Sequence, residues 1–238
     1  NDARKKLQAE FSPRFAAHRD AIMLDPALFG RIQALYDQRA TLGLDAEGVR
    51  LVERYHDDFV RAGARLSDAD KVRLKEMNAQ LATLGTQFDQ NVLNEVNASA
   101  VTFDSADALA GSTDAQIAAA AAEAKKCGLD GKYVLTLLNT TGQPPLTYLG
   151  NRDARQKIFE ASAGRGSRGN EFDNTGIVSQ VITLRAERAA MLGFPNHAAY
   201  SLADATAKTH EAVNAMLGKL APAAIANARR EAADLQAM

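Results

Sequence analysis

Glu53 and His56 stand three residues apart in a segment of helical spacing. On a helix that spacing aims a carboxylate and an imidazole at one side, and paired copies of it hold two metal ions inside some four-helix bundles. No other histidine of this chain has a Glu three residues before it, so the second copy is missing. The plainer expectation is a solvated face of Glu53, His56, Asp57 and Asp58. Gly164, Gly166 and Gly169 spell G-x-G-x-x-G, the spacing that lets backbone approach a pyrophosphate at a helix N-terminus. That motif needs a strand immediately before it, whereas Ile158 and Phe159 belong to a helical pattern. The expectation is therefore a flexible basic loop whose Arg165 and Arg168 are open to a substrate carboxylate.

The remaining reactive side chains form no recognisable constellation. Cys127 lies beside Lys125 and Lys126, cations of the kind that favour a thiolate, but spacing pairs no histidine with it. His18, His197 and His210 lack the spacing of a triad or a zinc cluster and read as surface or cap residues. Asn97-Ala-Ser and Asn139-Thr-Thr match a glycosylation sequon, which carries meaning only in a secreted protein. From the residues themselves no catalytic, cofactor-binding or metal-binding position is assigned.

The elements that would carry such residues are helical almost throughout. Alanine, the best helix former, is the commonest residue, and apolar positions recur at three and four. Leu7, Phe11, Phe15 and Ile22 mark a first helix over 3–24, with Pro13 set to kink it or end a turn. Asp25 and Pro26 read as N-cap and first turn of a second, striped by Leu28, Ile32, Leu35 and Leu42 and closed by Gly43. Asp45 opens a third, with Leu51, Val52, Tyr55 and Phe59, ending at Gly63. Ser67 and Asp70 resemble a capping box ahead of a heptad-like seam of Leu74, Met77, Leu81, Leu84 and Phe88 that runs towards Val96. Short polar links make residues 1–98 an N-terminal bundle of four antiparallel helices.

From 99 to 238 the texture is mixed but mostly helical. Val101–Phe103 is extended, 115–126 is an Ala-rich helix, and Tyr133–Leu138 is the convincing strand. The turn chemistry of NTTGQPP follows, giving one short β element near 133–149. Helices over 152–163, 175–192 and 197–202 precede one from Lys208 that carries Val213, Met216, Leu217 and Leu220 on one face. The fold class expected is mainly α, a bundle of long antiparallel helices. The last helix shows no stop signal before Met238 and the chain starts at Asn1, which suggests a piece of a longer protein.

Composition narrows the class. The 28 basic and 29 acidic side chains leave a formal charge of −1, which gives nucleic acid or an anionic membrane no electrostatic footing. A single cysteine excludes a disulfide scaffold, and no window has the roughly 20 apolar residues of a membrane span.

LRAERAAMLGFPNHAAYSLADATAKT, residues 184–209, resembles the segment that thimet-oligopeptidase-like zinc metallopeptidases carry upstream of their catalytic domain. FDNTGIVSQVITLR, residues 172–185, continues the likeness. LTLLNTTGQPPLTYLGNRDARQKIFEASAGRG, residues 135–166, is more similar to the bacterial peptidyl-dipeptidase branch than to the oligopeptidase A branch. The resemblance implies peptide cleavage in a deep channel, at a zinc held by H-E-x-x-H and a distant Glu. This chain contains no H-E-x-x-H, so no catalytic or metal role passes to any of its residues. What the resemblance implies is the N-terminal, channel-forming part of such an enzyme, inactive alone, with zinc in the full-length protein. Its partners would be short peptides and its own C-terminal catalytic half, met by an exposed apolar face. Its compartment would be the cytoplasm, with the periplasm as the alternative. An oligopeptidase A-like endopeptidase fragment and a helical interaction module without chemistry are the alternative readings.

Overall fold

The computed structural model describes residues 1–138 and 143–238 and, for Asn97, the backbone alone. The chain is mainly α. Helices α1 (Asp2–Met23), α2 (Pro26–Gln38), α3 (Ala46–Ala62) and α4 (Asp68–Ala98) lead into strand β1 (Val101–Phe103) and a 3-10 turn at Ala106–Leu109. Then come α5 (Asp114–Lys126), β2 (Tyr133–Leu135), α6 (Pro145–Tyr148), α7 (Arg152–Ala163), α8 (Thr175–Met191), α9 (His197–Leu202) and α10 (His210–Ala237).

The helix starts follow from local chemistry. Asp25 accepts from the Leu28 amide at 2.7 Å and Asp45 from the Gly48 amide at 2.8 Å, each satisfying a donor that the first helical turn leaves unpaired. Ser67 accepts from the Asp70 amide at 3.2 Å, but its hydroxyl donates to the Asp70 carboxylate, so the aspartate is too short to complete the reciprocal box. The complete box lies at α5, where Thr113 and Gln116 exchange both bonds. Pro13 lies inside α1 without ending it. α2 stops at Gln38, before the Gly43 expected to close it.

Backbone packing divides the chain into two compact units, and the cut does not fall at residue 98. The first contains Asn1–Arg14 with Gln80–Val181, the second Phe15–Ala79 with Ile182–Met238. The α4 seam serves both cores: Leu74 and Met77 are buried in the second unit, Val96 in the first.

In the first unit β1 and β2 pair antiparallel, with Val101 opposite Leu135 and Phe103 opposite Tyr133. Val101 and Phe103 turn inward and Thr102 outward, the period of two that a half-buried strand requires. They pack with Leu109, Leu137, Leu149 and Ile158, each contributing about 1.5–3 kcal/mol through burial. The pairing partner of β2 thus lies upstream, and Pro145–Tyr148 is helical rather than a returning strand. The expected turn at Asn139–Gly142, with its sequon, lies outside the described residues, as does the Asn97 side chain. Residues of α1 are tied to α4 by polar bonds: Gln90 to the Lys5 carbonyl at 2.9 Å and Thr86 to Ser12 at 2.8 Å.

In the second unit the buried faces are rotated from the stripes the sequence suggests. Leu28 and Leu35 are exposed, while Phe29, Ile32, Gln33 and Tyr36 turn inward. On α3, Leu51 and Tyr55 are exposed, and the inner face is Val52, His56 and Phe59. Leu24, Phe59, Ala64, Leu74, Met77, Leu184 and Ala189 are its buried apolar residues. Gly63 ends α3 with φ 106°, and a Cβ there would lie 2.6 Å from Leu74 Cδ2, so conformation and space both demand glycine. No residue of α10 is buried, and Met216, Leu217, Leu220 and Ile225 are exposed along it.

Candidate functional site

In the structure Glu53 and His56 meet different partners. Glu53 faces Arg39 and Arg50, each at 3.6 Å. His56 is buried, which overturns the solvated-face expectation: its ring stacks on Tyr36 with centroids 3.8 Å apart and lies near Phe29. Its Nε2 stands 3.1 Å from Gln33 Oε1 and 3.2 Å from the Arg65 guanidinium, so it is turned towards protein donors and acceptors rather than towards Glu53. The spacing 52-56-59 was the signal of that burial, because it puts His56 on the apolar face with Val52 and Phe59. Among the described residues, no three His, Cys, Asp or Glu side chains converge as metal ligands.

The glycine-rich loop follows α7 rather than a strand, as its sequence context indicates, but it is not a free basic loop. Glu95, fully buried on α4, accepts from the Gly166 amide and from Arg168 Nε at 2.8 Å. Arg168 also donates to the Ala161 carbonyl, and Arg165 to the Leu137 carbonyl at 2.9 Å. Asn174 ties the loop's far end down, donating to the Phe88 carbonyl at 3.2 Å and accepting from Asn91 at 3.0 Å. Gly166 has φ 73°, which lets its amide turn to the carboxylate. Asp173 then caps α8 through the Thr175 amide, and the bonds from Thr175 and Gly169 hold its carboxyl below the ordinary aspartate range. Burial drives this arrangement: a carboxylate removed from water needs a cation and hydrogen bonds.

Cys127 is the exposed C-cap residue of α5. His18 and His210 are exposed, the latter 2.8 Å from Glu211. His197 starts α9 beside the Asn196 cap, half-buried, with Nδ1 enclosed and, among the described residues, without a hydrogen-bond partner. Burial, and then the cations of Arg185 and Arg188, push its pKa down.

Sequence reasoning missed a cavity of about 460 Å³ in the second unit, to which α1, α3, α4, α8 and α9 each contribute. Asp20 is buried at its wall, and Asn78 Nδ2 reaches both of its oxygens, at 2.9 and 3.1 Å. The other end of the Asn78 amide accepts from Arg188 at 3.2 Å. Burial pushes the Asp20 carboxyl above the ordinary aspartate range, opposed by Asn78 and by the cations Lys75, Arg19 and Arg188. Arg61 donates to the Tyr200 carbonyl at 2.9 Å, and the Arg61 and Arg188 guanidiniums lie 4.9 and 5.5 Å from the Tyr200 ring centroid. Arg188 Nε is enclosed and bonds to nothing among the described residues. These groups come from segments far apart in the chain, so no local spacing announces them.

Residues 145–238 match peptidase family M3. Over all 238 residues the chain is 40% identical to dipeptidyl carboxypeptidase of Escherichia coli (strain K12), spanning 35% of that protein. Its similarity to the Salmonella typhimurium dipeptidyl carboxypeptidase is also 40%, over 99% of the chain and 35% of the relative. Oligopeptidase A of Escherichia coli is 32% identical across 84% of the chain and 30% of the relative. The chain is thus related to the M3 peptidases. Within them it is more similar to the dipeptidyl carboxypeptidases than to oligopeptidase A, and it spans about a third of the length of the curated relatives it matches.

Proposed function

We propose that this chain is the N-terminal, channel-forming part of a zinc peptidase that releases dipeptides from the C-termini of short peptides. The observation that carries the reading is the 40% identity to dipeptidyl carboxypeptidase along the full length of the chain. The residues present do not fit the zinc of such an enzyme. The chain has no H-E-x-x-H, and in its only Glu-x-x-His, Glu53 faces Arg39 while His56 stacks on Tyr36. No catalytic step is therefore assigned to this chain, which acts by shape and requires a downstream half that carries the metal and the reacting groups. The mainly helical fold and the exposed apolar side chains of α10 support that role. The compartment proposed is the cytoplasm, with the periplasm as alternative. Among the described residues no helix is long and apolar enough to cross a membrane.

The test compares the full-length gene product with this chain on a short peptide whose C-terminus is free or amidated. Dipeptide release by the long form alone, abolished by amidation, is the expected result. Cleavage that tolerates the amide would instead support an endopeptidase like oligopeptidase A, the second reading, which the 32% identity to that protein favours. Hydrolysis by the 238-residue chain alone would overturn the assignment.

A further inference from the structure

We propose that His56 is a proton-operated switch in the packing of α2 on α3: when the buried ring takes up a proton, its contact with Arg65 gives way to a bond to Gln33 and a charge contact with Asp57. His56 lies on the inner face of α3, stacked on Tyr36 and near Phe29. No residue of α2 is fully buried, and α3 is its principal neighbour, so the ring sits at the centre of the contacts that hold α2. Its Nε2 meets two groups of opposite kind: Gln33 Oε1 at 3.1 Å, which only accepts, and Arg65 Nη2 at 3.2 Å, which only donates. Turning the Gln33 amide round would set its oxygen against the Asp37 carboxylate, to which Gln33 Nε2 now donates at 2.8 Å.

One ring nitrogen satisfies one of the two at a time. In the neutral ring the bare Nε2 accepts from Arg65, whose Nη2 also donates to Gln33 Oε1 at 3.2 Å, and the single ring proton sits on Nδ1. Nδ1 is enclosed, 3.5 Å from Asp57 Oδ1 and without a hydrogen-bond partner among the described residues. A second proton changes both edges. Nε2–H then donates to Gln33 Oε1 and sets a donor and a positive charge against the Arg65 guanidinium, while Nδ1–H gains a charge to offer Asp57. Arg65 is exposed and yields to water. Among the described residues the charged groups around the ring are Asp37 on α2 behind Gln33, Arg39 on α2 against Tyr36, Glu53 and Asp57 on α3, and Arg65 on the link to α4. Arg39 and Arg50 take Glu53, and the Gln33 amide takes Asp37. Asp57 is thus the anion left for the protonated ring, and Arg65 the cation it displaces. The switch stands apart from the peptidase reading, because it needs neither substrate nor metal.

The test is a titration of the 238-residue chain from about pH 8 to about pH 5, the span in which histidine changes charge. Nuclear magnetic resonance follows the His56 ring nitrogens, the Arg65 guanidinium and the Gln33 side-chain amide. At the upper end the ring proton is expected on Nδ1. As the pH falls, the Arg65 and Gln33 signals should move with the midpoint of the ring, and amide exchange along α2 should quicken with it. Two exposed side chains then set the sign. Arg65→Met removes the donor to the neutral ring and the opposing charge, so it should raise the midpoint. Asp57→Asn removes the anion and should lower it, by a smaller step because that carboxylate lies largely in water. A ring that serves packing alone would not move in opposite directions in the two variants. Circular dichroism at about pH 8 should match the unaltered chain in both; where a variant does not fold, the titration of the unaltered chain decides alone. A proton on Nε2 at the upper end, a ring that stays neutral throughout, Arg65 signals that do not follow the ring, or a midpoint that Arg65→Met leaves in place or lowers would each overturn the proposal.

Discussion

Replacing Glu95 by Gln tests whether the loop after α7 is held by a buried charge. Glu95 is 0% exposed, and its two oxygens serve Arg168 Nε and the Gly166 amide, while Arg168 itself is 29% exposed. Each hydrogen bond to a charged group contributes roughly 1.5–3 kcal/mol net. Glutamine keeps one acceptor, but its amino end then meets an N–H, so one bond is lost outright and the other loses its charge. Arg168 reaches water and recovers part of the loss; the Gly166 amide does not. The expected cost is about 2–4 kcal/mol, below the 3–5 typical when a fully buried pair is broken. For a chain of this size that lowers the melting temperature by roughly 5–15 °C, read by circular dichroism, and urea denaturation supplies the free energy. A double-mutant cycle with Arg168→Met isolates the pair, and Glu95→Met with Arg168→Met together should cost less than the two single changes summed. Loss of amide protection at Gly166 and Asn174 should accompany the change in Glu95→Gln. A cost below about 0.5 kcal/mol, the size of an ordinary surface substitution, with additive single changes would refute the reasoning.

Gly63→Ala should destabilise by about 2–4 kcal/mol in urea denaturation, combining left-handed strain with the 2.6 Å clash against Leu74, and a loss under about 0.5 would count against it. Asp20, whose carboxyl burial raises, binds more protons folded than unfolded just above the ordinary aspartate range, so stability should fall as pH rises through that window; in Asp20→Asn the slope should vanish. His197 is shifted the other way, so between its lowered folded value and the ordinary histidine value the unfolded chain binds more protons and stability should rise with pH; His197→Gln should flatten that limb, and an unchanged curve would rule the effect out. Zinc titrated into the chain should leave the His56 ring resonances unmoved, because Arg65 and Gln33 occupy Nε2 and Nδ1 is buried; a saturable shift there would revive the Glu53–His56 site.

Helix positions were readable wherever a cap and a period coincide, as at Asp25–Pro26, Asp45 and the Leu74–Met77 seam, because caps and periodicity act within one turn of chain. The choice of buried face was less readable. With Leu28, Leu35, Leu51 and Tyr55 all apolar, each helix offers two adjacent stripes, and only the neighbour decides which is covered; Phe29 and Tyr36 won because His56 stacks between them and the core. The compact units escaped the sequence altogether, since α4 is one uninterrupted helix whose two halves enter different cores. The cavity escaped for the same reason. Asp20, Arg61, Asn78, Arg188 and Tyr200 sit on five elements, and no local rule links five singletons.

The two arginine clusters dispose their charges differently. Around Glu95 the buried charge is paired: the carboxylate takes Arg168 and Gly166, and the guanidiniums of Arg165 and Arg168 reach the Leu137 and Ala161 carbonyls, although Arg165 Nε is enclosed without an acceptor among the described residues. Such a cluster has little left to offer a ligand, and binding there would first have to break a buried pair. Around Asn78 the count is unequal, because one amide stands between Asp20 and Arg188 and neither charge meets its opposite. A fold that needed only rigidity would gain from letting Asp20 and Arg188 touch. Keeping them apart leaves each to the Asn78 amide, at a cost in stability.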